Sequence, residues 1–357
     1  MVTQKDIARQ LNLSPSTITK VLNGSKVQVS PETREAIVRT AKELNYQVNT
    51  AARALVKGFH NSVTLVYERP QGYMRTEYSI ACEIFAERLG EMNYDLKVRV
   101  FADSEQLMEG MNLMISRRDT DAFVLMGNED LVEKQGILLE KSDIPFVANG
   151  RFESLHPAWN QVDYDHEAMM SKAVEHLSAI GHRRIAYMGF ESDATFAKRL
   201  FGGYSSALAK LGVELNLGWI ANTDATIESV EVAAGRLLCL PESIRPTALV
   251  IANGNHAWHI VEKCLALHGL CMGDGAGEFS VAGMCVGPVS LSFGEAVAYQ
   301  EISFGQIASA MFDRCLVPII KRDPISTPIV RVCPPLTPIY SRHELQFVQL
   351  KTTINHS

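Results

Sequence analysis

The stretch "SPSTITKVLNG", residues 14–24, decides how the start of this chain folds. Ile18, Val21 and Leu22 recur at helical spacing and share one face, while Ser16, Thr17, Thr19 and Lys20 occupy the others, and Asn23-Gly24 is a helix stop. Upstream, Thr3 can cap a helix with Asp6 three residues on, and Ile7, Ala8 and Leu11 supply its apolar face. Asn12 to Pro15 is a break of tight-turn length, and Pro15 is tolerated in a first helical turn because its missing N–H has no partner there. Downstream, Ser30-Pro31-Glu32-Thr33 starts a third helix over 33–44, with Ile37, Ala41 and Leu44 facing inward. Two short helices at a tight turn, braced by a third, predict a helix-turn-helix unit whose second helix enters a DNA major groove. An ordinary three-helix domain with solvated hydroxyls remains the alternative.

Charge supports the first reading. Residues 1–60 carry nine Lys or Arg against four acids, +5, in a chain of 357 residues whose net charge is -6, so the remainder stands at -11. A basic head on an acidic body points to a polyanion as the head's partner. The small hydroxyl residues of 16–19 let a helix approach base edges, and Lys20 can reach a guanine acceptor pair. The N-terminus lacks the apolar core of a secretory peptide and no run of about 18 apolar residues occurs, so no membrane partner and a cytoplasmic location are expected. Seven cysteines without CxxC spacing read as reduced and packed. Cys264, His268 and Cys271, at i, i+4 and i+7, read as one helix face rather than a metal site. No metal or cofactor is expected.

Residues 3–58, "TQKDIARQLNLSPSTITKVLNGSKVQVSPETREAIVRTAKELNYQVNTAARALVKG", resemble the DNA-binding headpiece of the LacI/GalR transcription regulators almost without gaps. The resemblance implies that Pro15, Ser16 and Lys20 read bases, while Thr3, Ser14, Thr17, Thr19 and Asn23 hold phosphates. The family's usual residue at position 20 is Arg; Lys offers a point donor instead of a bidentate fork, which alters the operator read but not groove entry. Residues 49–57, "NTAARALVK", are helix-prone but too short to be stable alone. By resemblance they form a hinge helix that orders on DNA and wedges Leu55 into the minor groove; a plain linker is the other reading.

From Val63 the pattern changes to apolar runs alternating with helical stretches: 62–67, 94–101, 121–127, 144–149, 184–190, 248–253 and 279–284. Such alternation predicts parallel sheets covered on both faces, and this many units predict two doubly wound lobes with ligands at strand carboxyl ends. The whole reads as an all-α helix-turn-helix headpiece (1–47), a hinge and linker (48–61), an α/β two-lobed core like that of periplasmic binding proteins (62–342), and a tail (343–357).

"AVEHLSAIGHRRIAYMGF" (173–190), "RLFGGYSSALAKLGV" (199–213) and "PTALVIANGNHA" (246–257) extend the resemblance to the core these repressors share with periplasmic sugar-binding proteins. It implies an effector between the lobes, contacted by Tyr78, Asn149, Gly150, Arg151, Asp165, Arg199 and Asn253. This chain departs from the pattern at three places. Gly283-Met284-Cys285-Val286 replaces Gly-Phe-Asp-Asp, removing a sugar-bonding carboxylate; Gly254 replaces Asp after Ala252-Asn253; and Leu200 stands where Arg is usual, with Arg199 one residue earlier. "PFVANGRFES" and "WNQVDYDHEA" hint at a glucoside-binding branch. Asp163, Asp165 and His166 read as strand-end solvation and, at Asp165, a helix N-cap.

The expected function is a sequence-specific transcription repressor, acting as a homodimer on double-stranded operator DNA, with a sugar or glucoside as effector. A solute-binding protein would share the core but not the basic head. No GxSxG, phosphate loop or HExxH supports an enzyme, and "GDGAGEF" (273–279) has Glu278 where a dinucleotide fingerprint needs Gly. A DNA coat protein without base preference is the fourth reading. "HELQFVQLKTTINHS" (343–357) is too short for tetramerising leucine heptads, which favours a dimer.

Overall fold

The computed structural model describes residues 2–22, 27–44, 46, 60–70, 74–152, 154–253, 255–273, 277–286, 297–325 and 327–339. The chain divides into two units, Met1–Asn61 and Ser62–Ser357. Asn23, Leu55, Gly254 and the 343–357 tail, all singled out above, lie outside the described residues, as does most of the linker.

The first unit holds α1 (Gln4–Leu11), α2 (Pro15–Leu22) and α3 (Pro31–Glu43). The Thr3 amide and hydroxyl both donate to the Asp6 carboxylate, at 2.8 and 2.7 Å. Those bonds hold the Asp6 carboxyl below its usual range. Asn12 closes α1 in the left-handed region at φ 52°, which a short polar side chain tolerates. Ser14 Oγ accepts from the Thr17 amide at 3.1 Å, so Ser14 caps α2 and Pro15 opens it without losing a bonded donor. Ser30 caps α3 in the same way, accepting from the Thr33 amide at 3.2 Å. Ile7, Ala8, Ile18, Val21, Ile37 and Ala41 form the core. At about 1.5–3 kcal/mol for each large side chain buried, the three isoleucines dominate its stability.

The second unit contains two six-stranded sheets. Its elements are β1 (Ser62–Glu68), α4 (Met74–Glu91), β2 (Asp95–Phe101), α5 (Ser104–Arg117), β3 (Ala122–Leu125), α6 (Glu129–Lys141), β4 (Phe146–Asn149), β5 (Gln161–Tyr164), α7 (His166–Ala179), β6 (Ile185–Phe190), α8 (Thr195–Lys210), β7 (Ile220–Thr223), α9 (Ile227–Leu238), β8 (Ala248–Ile251), α10 (Asn255–Leu267), β9 (Ser280–Val286), β10 (Val297–Ile302), α11 (Phe304–Met311), α12 (Val317–Lys321), β11 (Ile329–Val332) and β12 (Thr337–Ile339). One sheet runs β11-β5-β4-β3-β1-β2 and the other β12-β10-β9-β8-β6-β7. All pairings are parallel except β10 with β12.

The apolar runs read from the sequence are β1, β2, β3, β4, β6, β8 and β9. β5, β7 and β10 escaped because their inward faces carry polar residues whose partners are remote. Gln161 binds Phe152 N and His156 O, and Gln300 Nε2 donates to Met169 O at 2.7 Å. The chain crosses between sheets three times, after β5, after β10 and between β11 and β12. Two of these crossings are joined: the Tyr164 hydroxyl accepts from Ser303 N at 2.7 Å. α7 and α8 pack so closely that a Cβ on Gly203 would stand 2.3 Å from Glu167 O.

The reading of Cys264, His268 and Cys271 as one helix face is corrected. α10 stops at Leu267, and Gly269 adopts φ 69°, so the latter two lie beyond the helix. No group of three His, Cys, Asp or Glu among the described residues could hold a metal ion. No described helix is long and apolar enough to cross a membrane.

Candidate functional site

Burial sorts the headpiece residues into two sets. Ser14, Pro15, Ser16 and Lys20 are exposed, as is Thr3, whereas Thr17 and Thr19 are half-buried. The half-buried hydroxyls have local partners: Thr17 Oγ1 lies 2.8 Å from Ser14 Oγ, and Thr19 Oγ1 lies 2.6 Å from Gln4 Oε1 and 2.8 Å from Pro15 O. Thr19 thus ties α2 to α1. Pro15, Ser16 and Lys20 form an uncommitted outer edge that fits a groove.

In the second unit, a cavity of about 650 Å³ opens at the carboxyl ends of strands from both sheets. Gly127 to Asp130 follow β3, Asn149 and Gly150 end β4, Asp163 and Tyr164 end β5, and Phe190 to Phe196 leave β6. Met284 and Val286 of β9 and Ile302 to Phe304 after β10 close it. This is where parallel α/β sheets place ligands, because helix N-termini and strand-end loops converge there. Phe190 and Phe196 meet edge to face with centroids 5.3 Å apart.

Of the residues assigned by resemblance, Asn149 and Gly150 line this cavity. Asn149 Nδ2 donates to Val162 O at 3.1 Å. Tyr78 is buried, tilted against Tyr67 and edge to face with Phe304, which lines the cavity. Asp165 caps α7, accepting from Ala168 N at 3.1 Å as the sequence suggested. Asn253 is buried at the end of β8, with Nδ2 2.6 Å from Thr223 Oγ1. Arg151 and Arg199 line a neighbouring cavity of about 330 Å³ instead. There Arg199, 8% exposed, binds Glu129 at 2.5 Å and Asp163 at 3.1 Å, and Arg151 binds Glu167 at 2.5 Å. All three ion pairs span the lobes, since Glu129, Arg151 and Asp163 belong to the first sheet's layer and Glu167 and Arg199 to the second's.

Asp163 and His166 correct the sequence reading of strand-end solvation: each is 8% exposed. Asp163 is held inside by Arg199. Burial, reinforced by the charge of Glu129 and opposed by Arg199, pushes its carboxyl up to about 7. Burial, aided by Arg199 and Arg151, pushes His166 down to about 3, so its ring is neutral at ordinary pH. The 3.7 Å between Asp163 Oδ2 and His166 Nδ1 is therefore a contact with a neutral ring rather than a salt bridge. Buried His166 Nδ1 has no hydrogen-bond partner. The departure in β9 has a clear geometry: Met284 and Val286 face the cavity, and Cys285 is turned away into a separate apolar cluster.

Sequence reasoning missed Glu77, Glu129, Asp130, Asp163 and Asp193 as cavity residues. Four of them stand at or just beyond strand ends, Asp163 in β5 and the other three in "MGNED" and "FESD". The rule that ligands sit at strand carboxyl ends would have found those.

A helix-turn-helix headpiece joined to a two-lobed α/β core defines a ligand-binding regulator of transcription. The profile described as periplasmic binding proteins and sugar binding domain of LacI family matches residues 63–279, and that of bacterial regulatory proteins, lacI family, matches residues 3–49. The chain belongs to this family. It is 27% identical to catabolite control protein A of Priestia megaterium over 268 residues, covering 73% of this chain and 76% of that protein. It is 29% identical to the transcriptional regulator RafR of Escherichia coli, covering 70% and 72%. Its fold matches the Lac repressor dimer bound to operator and an anti-inducer with TM-score 0.67 at 19% identity, covering 95% and 97% of the two chains. The transcriptional regulator CelR in its cellobiose complex matches with TM-score 0.57 at 20% identity, covering 95% and 98%.

Proposed function

We propose that this chain is a homodimeric repressor whose affinity for a near-palindromic operator is set by a small hydroxylated effector, a carbohydrate, bound between the lobes of its core. The observation that carries this reading is the cavity at the strand carboxyl ends, walled by both lobes, in a chain whose head is a helix-turn-helix. The operator-bound dimer of Lac repressor and the cellobiose held by CelR are precedents from the same fold. In this assignment Pro15, Ser16 and Lys20 read bases. Thr3, Ser14, Thr17, Thr19 and Asn23 position the phosphate backbone, and Leu55 enters the minor groove. Asn149 contacts the effector, whereas Tyr78, Arg151, Asp165, Arg199 and Asn253 fix the walls around it. An effector that changes the angle between the lobes alters DNA affinity by its difference in affinity for the two poses, typically about 1–3 kcal/mol.

Gel-shift titration of the full chain on the DNA upstream of its own and neighbouring genes tests the reading. A site bound at least about a thousandfold more tightly than random DNA is expected. Binding of all DNA alike would overturn it.

A further inference from the structure

The charge of the cavity bears on what enters it. Five carboxylates line it: Glu77, Glu129, Asp130, Asp163 and Asp193. No Lys or Arg is among the described residues that do so. Arg199 lies behind the wall and offsets one negative charge of the Glu129–Asp163 pair. Glu77 is 7% exposed and accepts from the Phe304 amide at 2.7 Å. A phosphate or carboxylate entering this wall would meet like charge in a partly desolvated space, where Coulomb repulsion is weakly screened.

An independent observation points to a polar ligand group as the missing partner. His166 is more than nine-tenths buried, lines the cavity and presents a neutral ring whose Nδ1 has no partner. Beside it stands the Asp163 carboxylate, linked through Arg199 to that of Glu129, so two carboxylates adjoin the unpartnered ring nitrogen. The rings of Phe190, Phe196 and Phe304 also line the space, with the Phe196 centroid 6.2 Å from that of His166. Aromatic rings and carboxylates in one cavity suit a cation as well as the apolar face of a sugar ring.

We infer that the cavity takes a hydroxylated ligand bearing a protonated amine and refuses its phosphorylated or carboxylated counterparts. This rests on the cavity being the effector site. The ammonium supplies donors to the carboxylates beside His166 and charge to the acidic wall, while the hydroxyls and ring face the phenylalanines.

The test uses matched probes on the purified full chain in an amine-free buffer, followed by calorimetry and thermal shift. D-glucose is compared with D-glucosamine, N-acetyl-D-glucosamine, D-glucosamine 6-phosphate and D-gluconate. Cellobiose is compared with fully deacetylated chitobiose and its diacetyl form. The amine member is expected to bind about tenfold or more tightly than the neutral parent, with the gain erased by N-acetylation and by raised salt. D130N/D193N is expected to reduce the ratio of amine to neutral affinity severalfold, a ratio that a mere folding defect would not move. Equal binding of amine and neutral members, or tighter binding of a phosphate or carboxylate, overturns this inference and leaves the effector site standing. Failure of every probe to bind or to alter operator affinity overturns both readings.

Discussion

The headpiece and the core solve opposite problems. In the headpiece the candidate base-reading residues Pro15, Ser16 and Lys20 lie within six residues of one another on the exposed side of a single short helix, so chain order and spatial order coincide. In the core, the cavity wall is assembled from residues as far apart as Glu77 and Ile307, and each reaches it only because a parallel sheet brings strand ends together. The first arrangement depends on a few buried isoleucines, the second on polar groups that must find distant partners.

Breaking each region separately tests that contrast. R199A is expected to have the largest effect, because it leaves the buried Asp163 and the half-buried Glu129 without their cation. About 3–5 kcal/mol of core stability should be lost, read as a lowered core melting transition with the headpiece unaffected. I18A attacks the other region. Truncating a fully buried side chain costs about 2–5 kcal/mol, enough to unfold so small a core. Operator binding should vanish while the core transition stays in place; a drop in both would mean that the regions fold as one.

Dependence on pH separates two of the core's perturbed groups, Asp163 and His166. Between about pH 4 and 6.5 the folded chain keeps a proton on Asp163 that the unfolded chain releases, so this group's stabilisation declines as pH rises. His166 acts in the reverse sense. The unfolded chain protonates it below about 6.5 and the folded chain only near 3, so its burial costs stability as pH falls. The opposing slopes, each at most about 1.4 kcal/mol per pH unit, should leave the native chain nearly flat over this interval. In D163N the core melting temperature should climb with pH, and in H166N it should fall. Parallel profiles in the two variants would refute the assigned directions.

The subtlest effect belongs to the headpiece. K20A should relax preference at one operator position by about 1–3 kcal/mol, whereas T17A should weaken all sites alike. Competition gel shifts with single-base operator variants distinguish the two, and a uniform loss for K20A would remove Lys20 from base reading.

The same contrast explains what could be read from the residues. Helix caps at Ser14 and Ser30 and the Ile7, Ile18 and Ile37 faces are local signals, and they appear in the structure as spaced in the chain. The alternation of strands and helices gave the two-sheet architecture. β5 and β10 were hidden, because buried Gln161, Asp163 and Gln300 look like surface residues until their partners are known. For the same reason Arg151 and Arg199, assigned to a ligand by resemblance, turn out to bind Glu167, Glu129 and Asp163, acids whose proximity no spacing reveals.

The three strand-to-strand crossings have a mechanical consequence. The first links β5 to β6, the second β10 to β11 and the third β11 to β12, with Tyr164 stitched to Ser303 at the seam. Two bodies tied by three passages of chain can swing like book covers yet not come apart, so whatever lodges between the pages is registered as an angle.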